Sequence, residues 1–179
     1  FPETALSTTW PPFSAHYAVT ITDRLVLELV ITNLAAEQPL VFENCLHTYF
    51  HVGAIGAVTV RGLQGVTYLD KTDNFTAKPE ASDAIRIESE TDRIYLDTAG
   101  TVEILDPKLG RRIQIEKSGS SSTVVWNPWI ARAQQIPDLG NDDYLRMLCV
   151  ESGNVDRNRL TLPPGRSSVL QVALSSAAL

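Results

Sequence analysis

No apolar run in this sequence approaches the ~18–20 residues that a membrane-crossing helix needs. Charge of positive sign is also short: 15 Lys and Arg stand against 21 Asp and Glu, a formal net charge of −6. Nucleic-acid binding draws much of its affinity from counterion release at a basic face, so a DNA or RNA partner is not expected. Cysteine occurs twice, at Cys45 and Cys149, far apart and each inside an apolar stretch. Two thiols build no disulfide scaffold and no C-x-x-C spacing exists, so both are read as buried and reduced in a cytoplasmic protein. The first residues, FPETALSTTWPPF, lack a basic region followed by an apolar core, so they are not expected to be a signal peptide. They also lack an initial Met, so Phe1 is not taken as a natural start. Asn74-Phe75-Thr76 fits a glycosylation sequon, which without a secretion signal is read as a chance match.

Helical periodicity is missing too. No window of twelve residues carries an apolar stripe at 3.6 spacing, whereas short alternating segments recur throughout. HYAVTITDRLVLELVITN, 16–33, reads as strand, turn at Asp23-Arg24, strand; LVFENCLHTYF reads as one further strand. AVTVRGL, GVTYLD, DRIYLD, TVEILD, RRIQIE, STVVWN, RMLCVE, NRLTL and SVLQVAL follow, separated by Gly, Pro, Asn, Asp or Ser. With 179 residues, 44% hydrophobic and 20% charged, the chain suits one globular unit with a real core. The expectation is all-β: a large antiparallel β-sandwich forming a single domain over 1–179. Two stretches without strand character, 70–84 and 127–143, are long enough to be functional loops. Trp126 and Trp129 stand at the mouth of the second, where a flat ring face packs either a sugar or the core.

Two of the three histidines fall in ENCLHTYFHV, 43–52. On a strand, His47, Tyr49 and His51 share one face and Leu46, Thr48 and Phe50 the other. At the rise of a strand, His47 and His51 lie ~13 Å apart, too far to hold one ion, so no metal site is expected. A hundred residues on, Glu151 ends the apolar run RMLCVE, with Ser152, Gly153 and Asn154 expected to turn the chain. A carboxyl at such a place is suited to a raised pKa and to accepting a proton at neutral pH. An imidazole and a carboxylate on separate strands supply both poles of general acid–base work. No G-x-S-x-G, G-x-G-x-x-G or P-loop is present.

LHTYFHVG (46–53), GLQGVTYLDK (62–71), TDRIYLD (91–97), VVWNPW (124–129), DLGNDDYLRMLCVESGNV (138–155) and LPPG (162–165) occur in that order. As a set they resemble the aldose 1-epimerase (galactose mutarotase) superfamily, and within it the glucose-6-phosphate 1-epimerase, or hexose-6-phosphate mutarotase, branch. The resemblance implies a galactose mutarotase-like supersandwich, with His47 as general acid and Glu151 as general base. It places Asp70, Trp126 and Asn127 near the sugar and leaves His51 structural. It requires no metal or organic cofactor and implies a small-molecule hexose or hexose phosphate as partner. The two catalytic groups are expected to face each other across the ring. It also implies that this chain matches the C-terminal two-thirds of such an enzyme. The H-G-F-A-R-like segment, which carries a second histidine and a phosphate-binding arginine, has no counterpart in 1–179. A carbohydrate-binding protein without turnover and a mutarotase for non-phosphorylated aldoses are the competing readings.

Overall fold

The computed structural model describes Thr4 and residues 7–179. Its strands are β1 (Phe13–Ile21), β2 (Leu25–Asn33), β3 (Leu40–Phe42), β4 (Asn44–Leu46), β5 (Tyr49–His51), β6 (Thr59–Arg61), β7 (Thr67–Asp70) and β8 (Thr76–Pro79). They continue as β9 (Thr91–Leu96), β10 (Val102–Asp106), β11 (Arg111–Ser118), β12 (Ser122–Asn127), β13 (Met147–Asn154), β14 (Leu160–Leu162) and β15 (Ser167–Ala178). One five-residue helix, α1 (Trp129–Ala133), and short 3-10 turns are the remaining regular elements. None of these helices is long and apolar enough to cross a membrane.

The strands form a β-sandwich. One sheet runs β1-β2-β15-β11-β10-β6 and the other β4-β13-β12-β9-β7-β8, with β5 also on β13; β14 and β3 make a separate two-stranded ribbon. All the pairings are antiparallel. The main core lies between the sheets. Val60, Val102, Ile104, Ile113, Ile115 and Val172 come from the first, and Phe50, Tyr68, Tyr95, Val125, Leu148 and Val150 from the second. These alternate with residues of the opposite face, as the two-residue period of a strand requires. Lys117 spans the layers: its Nζ donates to Thr98 Oγ1, the Ser122 carbonyl and Thr123 Oγ1 at 2.7–2.9 Å. Burial without a carboxylate partner pushes its pKa down to about 8.

Four expectations are corrected here. LVFENCLHTYF is three short strands rather than one, because the chain changes partners: β3 pairs β14, whereas β4 and β5 pair β13. Residues 152–154 do not turn. They continue β13, fully buried, so Glu151 sits inside a strand rather than at its end. The loop 70–84 contains β8, paired to β7 over four residues, and 127–143 contains α1. Of the two cysteines, both free, Cys149 is buried while Cys45 is only half-buried.

Candidate active site

The outer face of the seven-stranded sheet, turned away from the core, carries the candidate site. In register across it lie Leu69, Ile94, Val124 and Glu151. Two residues along each strand, Asp92, Trp126 and Cys149 point the same way. The pairing of β13 is continuous in register: Ser152 faces Leu46 and Cys149 faces Tyr49. His47 therefore stands opposite Glu151. Between β4 and β5 the Thr48 N–H turns back to the Leu46 carbonyl at 3.0 Å. This tight turn, centred on His47, lifts the backbone off the ladder at that point.

The consequence is a direct contact, with His47 Nε2 at 3.0 Å from Glu151 Oε1. The imidazole is about half exposed, 48%, and the carboxylate only 6%, so the pair has a wet side and a dry side. Burial raises the Glu151 pKa, against the opposing pull of the Cys45 thiol and of His47. The thiol of Cys45 donates to Glu151 Oε2 at 3.2 Å. Its close approach depends on Gly153, where a Cβ would meet the Asn44 carbonyl at 2.4 Å and Cys45 Sγ at 3.0 Å. On the wet side Tyr49 stacks on His47 with ring centroids 4.8 Å apart, and Trp126 stands edge-on to both at 5.9 and 6.0 Å. These rings fix the imidazole's orientation.

The pair opens into a cleft of about 550 Å³, a volume typical of small-ligand sites. Phe75, Ile94, Val124 and Trp126 give it apolar faces. Glu43, Glu90, Asp92 and Asp156 ring it with negative charge, and Lys71 and Arg132 are its cations. Lys71 is already engaged with Asp92 at 2.7 Å.

Of the five residues singled out from the sequence, His47, Glu151 and Trp126 meet in this cleft. Asp70 and Asn127 do not line it. Asp70 ends β7 on the core side, because it alternates with Leu69. Its carboxylate accepts from Thr72 N, Thr72 Oγ1 and Lys78 Nζ at 2.7–3.1 Å. Burial opposes its charge, but these donors outweigh it and hold its pKa below the usual range. Asn127, fully buried, donates to the Tyr144 and Met147 carbonyls and accepts from Trp129 N, each at 2.9 Å. It thereby ties the segment after β12 back onto β13. His47 and Glu151 also do not face each other across a ring-sized gap, since at 3.0 Å nothing fits between the two groups. The two groups instead stand side by side on one wall of the cleft. Sequence reasoning missed Lys71, Phe75 and Cys45; alternation from Tyr68 would have found the first, placing Lys71 rather than Asp70 on the outer face.

Known proteins agree with this architecture. A candidate glucose-6-phosphate 1-epimerase from Cenchrus ciliaris is 37% identical over 139 residues, 78% of this chain and 42% of that protein. One of the same name from Escherichia coli K12 is 33% identical over 109 residues, 61% of this chain and 37% of its own length. The crystal structure of a candidate mutarotase from Salmonella typhimurium superposes with a TM-score of 0.87 at 24% identity. That superposition covers 99% of this chain and 58% of the other. The chain thus spans about two fifths of the length of the curated relatives it matches. The aldose 1-epimerase family profile matches residues 6–175, nearly the whole sequence, and the chain belongs to that family.

Proposed function

We propose that this chain carries the proton-transfer pair of an enzyme that interconverts the α and β anomers of a hexose 6-phosphate. One observation carries the reading: an imidazole and a buried carboxylate, 3.0 Å apart, open onto a small aromatic-faced cleft. Ring opening needs a proton taken from the anomeric hydroxyl and one given to the ring oxygen. Both oxygens are bonded to C1, so one wall bearing an adjacent base and acid reaches both. Glu151 accepts the hydroxyl proton, protonated His47 donates to the ring oxygen, and the ring C1–O bond breaks to give the aldehyde. Rotation about C1–C2 and reversal of both transfers close the ring on the other face. Each well-placed transfer contributes roughly 10²- to 10⁴-fold in rate. The contact between His47 and Glu151 yields to contacts with the sugar oxygens when substrate enters.

The phosphate rests on the names of the relatives, with Lys71 and Arg132 as the cations on this cleft. The excess of carboxylates around it, with Lys71 already paired, favours a second reading in which the sugar is neutral. The free thiols suit a reducing compartment, and we place the enzyme in the cytoplasm. Freshly dissolved α-glucose 6-phosphate and α-glucose, each followed by optical rotation with and without protein, test both. Faster decay of the phosphorylated sugar alone supports the proposal, and faster decay of glucose alone selects the second reading. Calorimetric binding of either sugar with no acceleration would show a binding protein without turnover.

A further inference from the structure

Cys149 takes no part in the proton transfers proposed above, yet it stands on the same outer face, two residues before Glu151 and in register with Tyr49. One ligand atom each from His47, Cys149 and Glu151 lies within 4.8 Å of the other two. This is a mixed nitrogen, sulfur and oxygen donor set drawn from β13 and from the turn between β4 and β5. Bond lengths of about 2.0–2.3 Å around a tetrahedral Zn²⁺ require donor separations of roughly 3.3–3.8 Å. Shifts of roughly 0.5–0.75 Å per side chain close that gap. Cys149 and Glu151 are fixed on a buried strand, and the half-exposed His47 borders the cleft, which gives an ion its route in. A thiolate in the set selects borderline or soft ions over Mg²⁺ and Ca²⁺, whose ligands are oxygens.

We infer that His47, Cys149 and Glu151 form an inhibitory site for Zn²⁺ or Cd²⁺, occupied in competition with the sugar. The ion takes the Nε2 lone pair of neutral His47, the Glu151 carboxylate and the Cys149 thiolate, whose proton leaves to solvent. A fourth position faces the cleft and is filled by water. Because the ion engages both members of the proton-transfer pair, bound metal blocks anomer exchange; that inhibitory consequence rests on the function proposed above, whereas the binding does not.

Binding is tested on the purified, chelator-treated chain by titrating Cd²⁺ and reading thiolate-to-cadmium charge-transfer absorbance. Competition with a chromophoric chelator gives the affinity for Zn²⁺. One equivalent of Cd²⁺ should develop the band. Cys149→Ser should abolish it, Cys45→Ser should keep it, and His47→Asn should weaken Zn²⁺ binding by more than the roughly 10- to 100-fold that a partner outside the coordination sphere costs. Circular dichroism confirms that each variant is folded, and His47, half exposed, is a position where substitution leaves the core untouched. In the anomer-exchange assay, Zn²⁺ should inhibit the unmodified chain reversibly by chelator. Cys149→Ser should retain the basal rate and resist Zn²⁺ at least about tenfold better. A band absent from the unmodified chain, or retained in Cys149→Ser, overturns the site. So does a band lost only in Cys45→Ser. A chain with the cadmium band but no anomer exchange overturns the proposed function and upholds the metal site.

Discussion

Replacing Glu151 by Gln separates the chemistry of this site from its architecture. The carboxylate is 6% exposed, lies 3.0 Å from His47 Nε2 and accepts from Cys45 Sγ at 3.2 Å. The amide keeps a carbonyl for the imidazole and turns its NH₂ toward the cysteine sulfur, a weak acceptor. Losing the thiol hydrogen bond costs about 1 kcal/mol or less, and relief from burying a charge offsets part of it. At about 2–4 °C per kcal/mol for a chain of this size, the melting temperature should move by no more than about 4 °C. The rate should fall by about 10²- to 10⁴-fold, or roughly 3–5 kcal/mol of barrier, because an amide accepts no proton. Polarimetry or NMR exchange between anomers, alongside a thermal melt, reads both quantities. The pH profile adds a check with a definite sign. Burial raises the Glu151 pKa above the ordinary 4.5, so wild-type kcat/KM should decline as pH falls through a value above that figure. The variant should lack this limb. If His47 and Glu151 act as one unit, Glu151→Gln with His47→Asn should be little slower than the worse single variant. A Gln variant that melts normally and works within about tenfold of wild type refutes the role given to Glu151.

Three further outcomes follow from the same geometry. Trp126→Ala removes an apolar face of the cleft, and the KM for sugar should rise about two- to tenfold, from the 0.5–1.5 kcal/mol of an aromatic contact; an unchanged KM places the sugar elsewhere. Asn127→Ala strands the Tyr144 and Met147 carbonyls and the Trp129 N–H, so urea unfolding should show a loss of at least about 2 kcal/mol. If Asn127 instead contacted sugar, KM would rise at unchanged stability. Lys117, held near pKa 8 in the fold against ~10.4 unfolded, makes the unfolded chain bind more protons between those values. Stability should therefore rise with pH across that window, by at most roughly 3 kcal/mol, and Lys117→Met should flatten the slope.

Alternation made most of the strands legible. The segment 16–33 gave β1 and β2 with the turn between them, and His47, Tyr49 and Phe50 fall on the faces that the two-residue period assigns. Alternation reports facing, however, and not partners. It could not show that β4 and β5 share β13 with a break at His47, or that Glu151 lies inside a strand whose last residues, Ser-Gly-Asn, read as a turn. There, tertiary pairing overrides local preference: Gly153 gives Asn44 and Cys45 room to approach, and Asn154 is held by Asn44 Oδ1 and the Gly119 carbonyl. β8 was hidden because Thr-Ala-Lys-Pro carries no apolar pattern; it is an edge strand, where Pro is tolerated. Asp70 and Asn127 are singled out by their places in the Y-L-D-K and W-N-P motifs, and a motif carries a position without its contacts. Their polar atoms are spent on Lys78, Thr72 and the backbone around Trp129.

His47, at the break between β4 and β5, and Glu151 on β13 form one rung, and this limits how the protein can be altered. Inserting a single residue between Leu46 and His47 sends Phe50 out to water and the imidazole inward. A change of two residues restores the facing but slides the imidazole ~7 Å along its neighbour, out of reach of the carboxylate. Length variation is free only in segments that hang beside the rung, such as 71–75 and 130–143. A library aimed at new sugar selectivity should diversify those segments and leave the spacing of the rung alone.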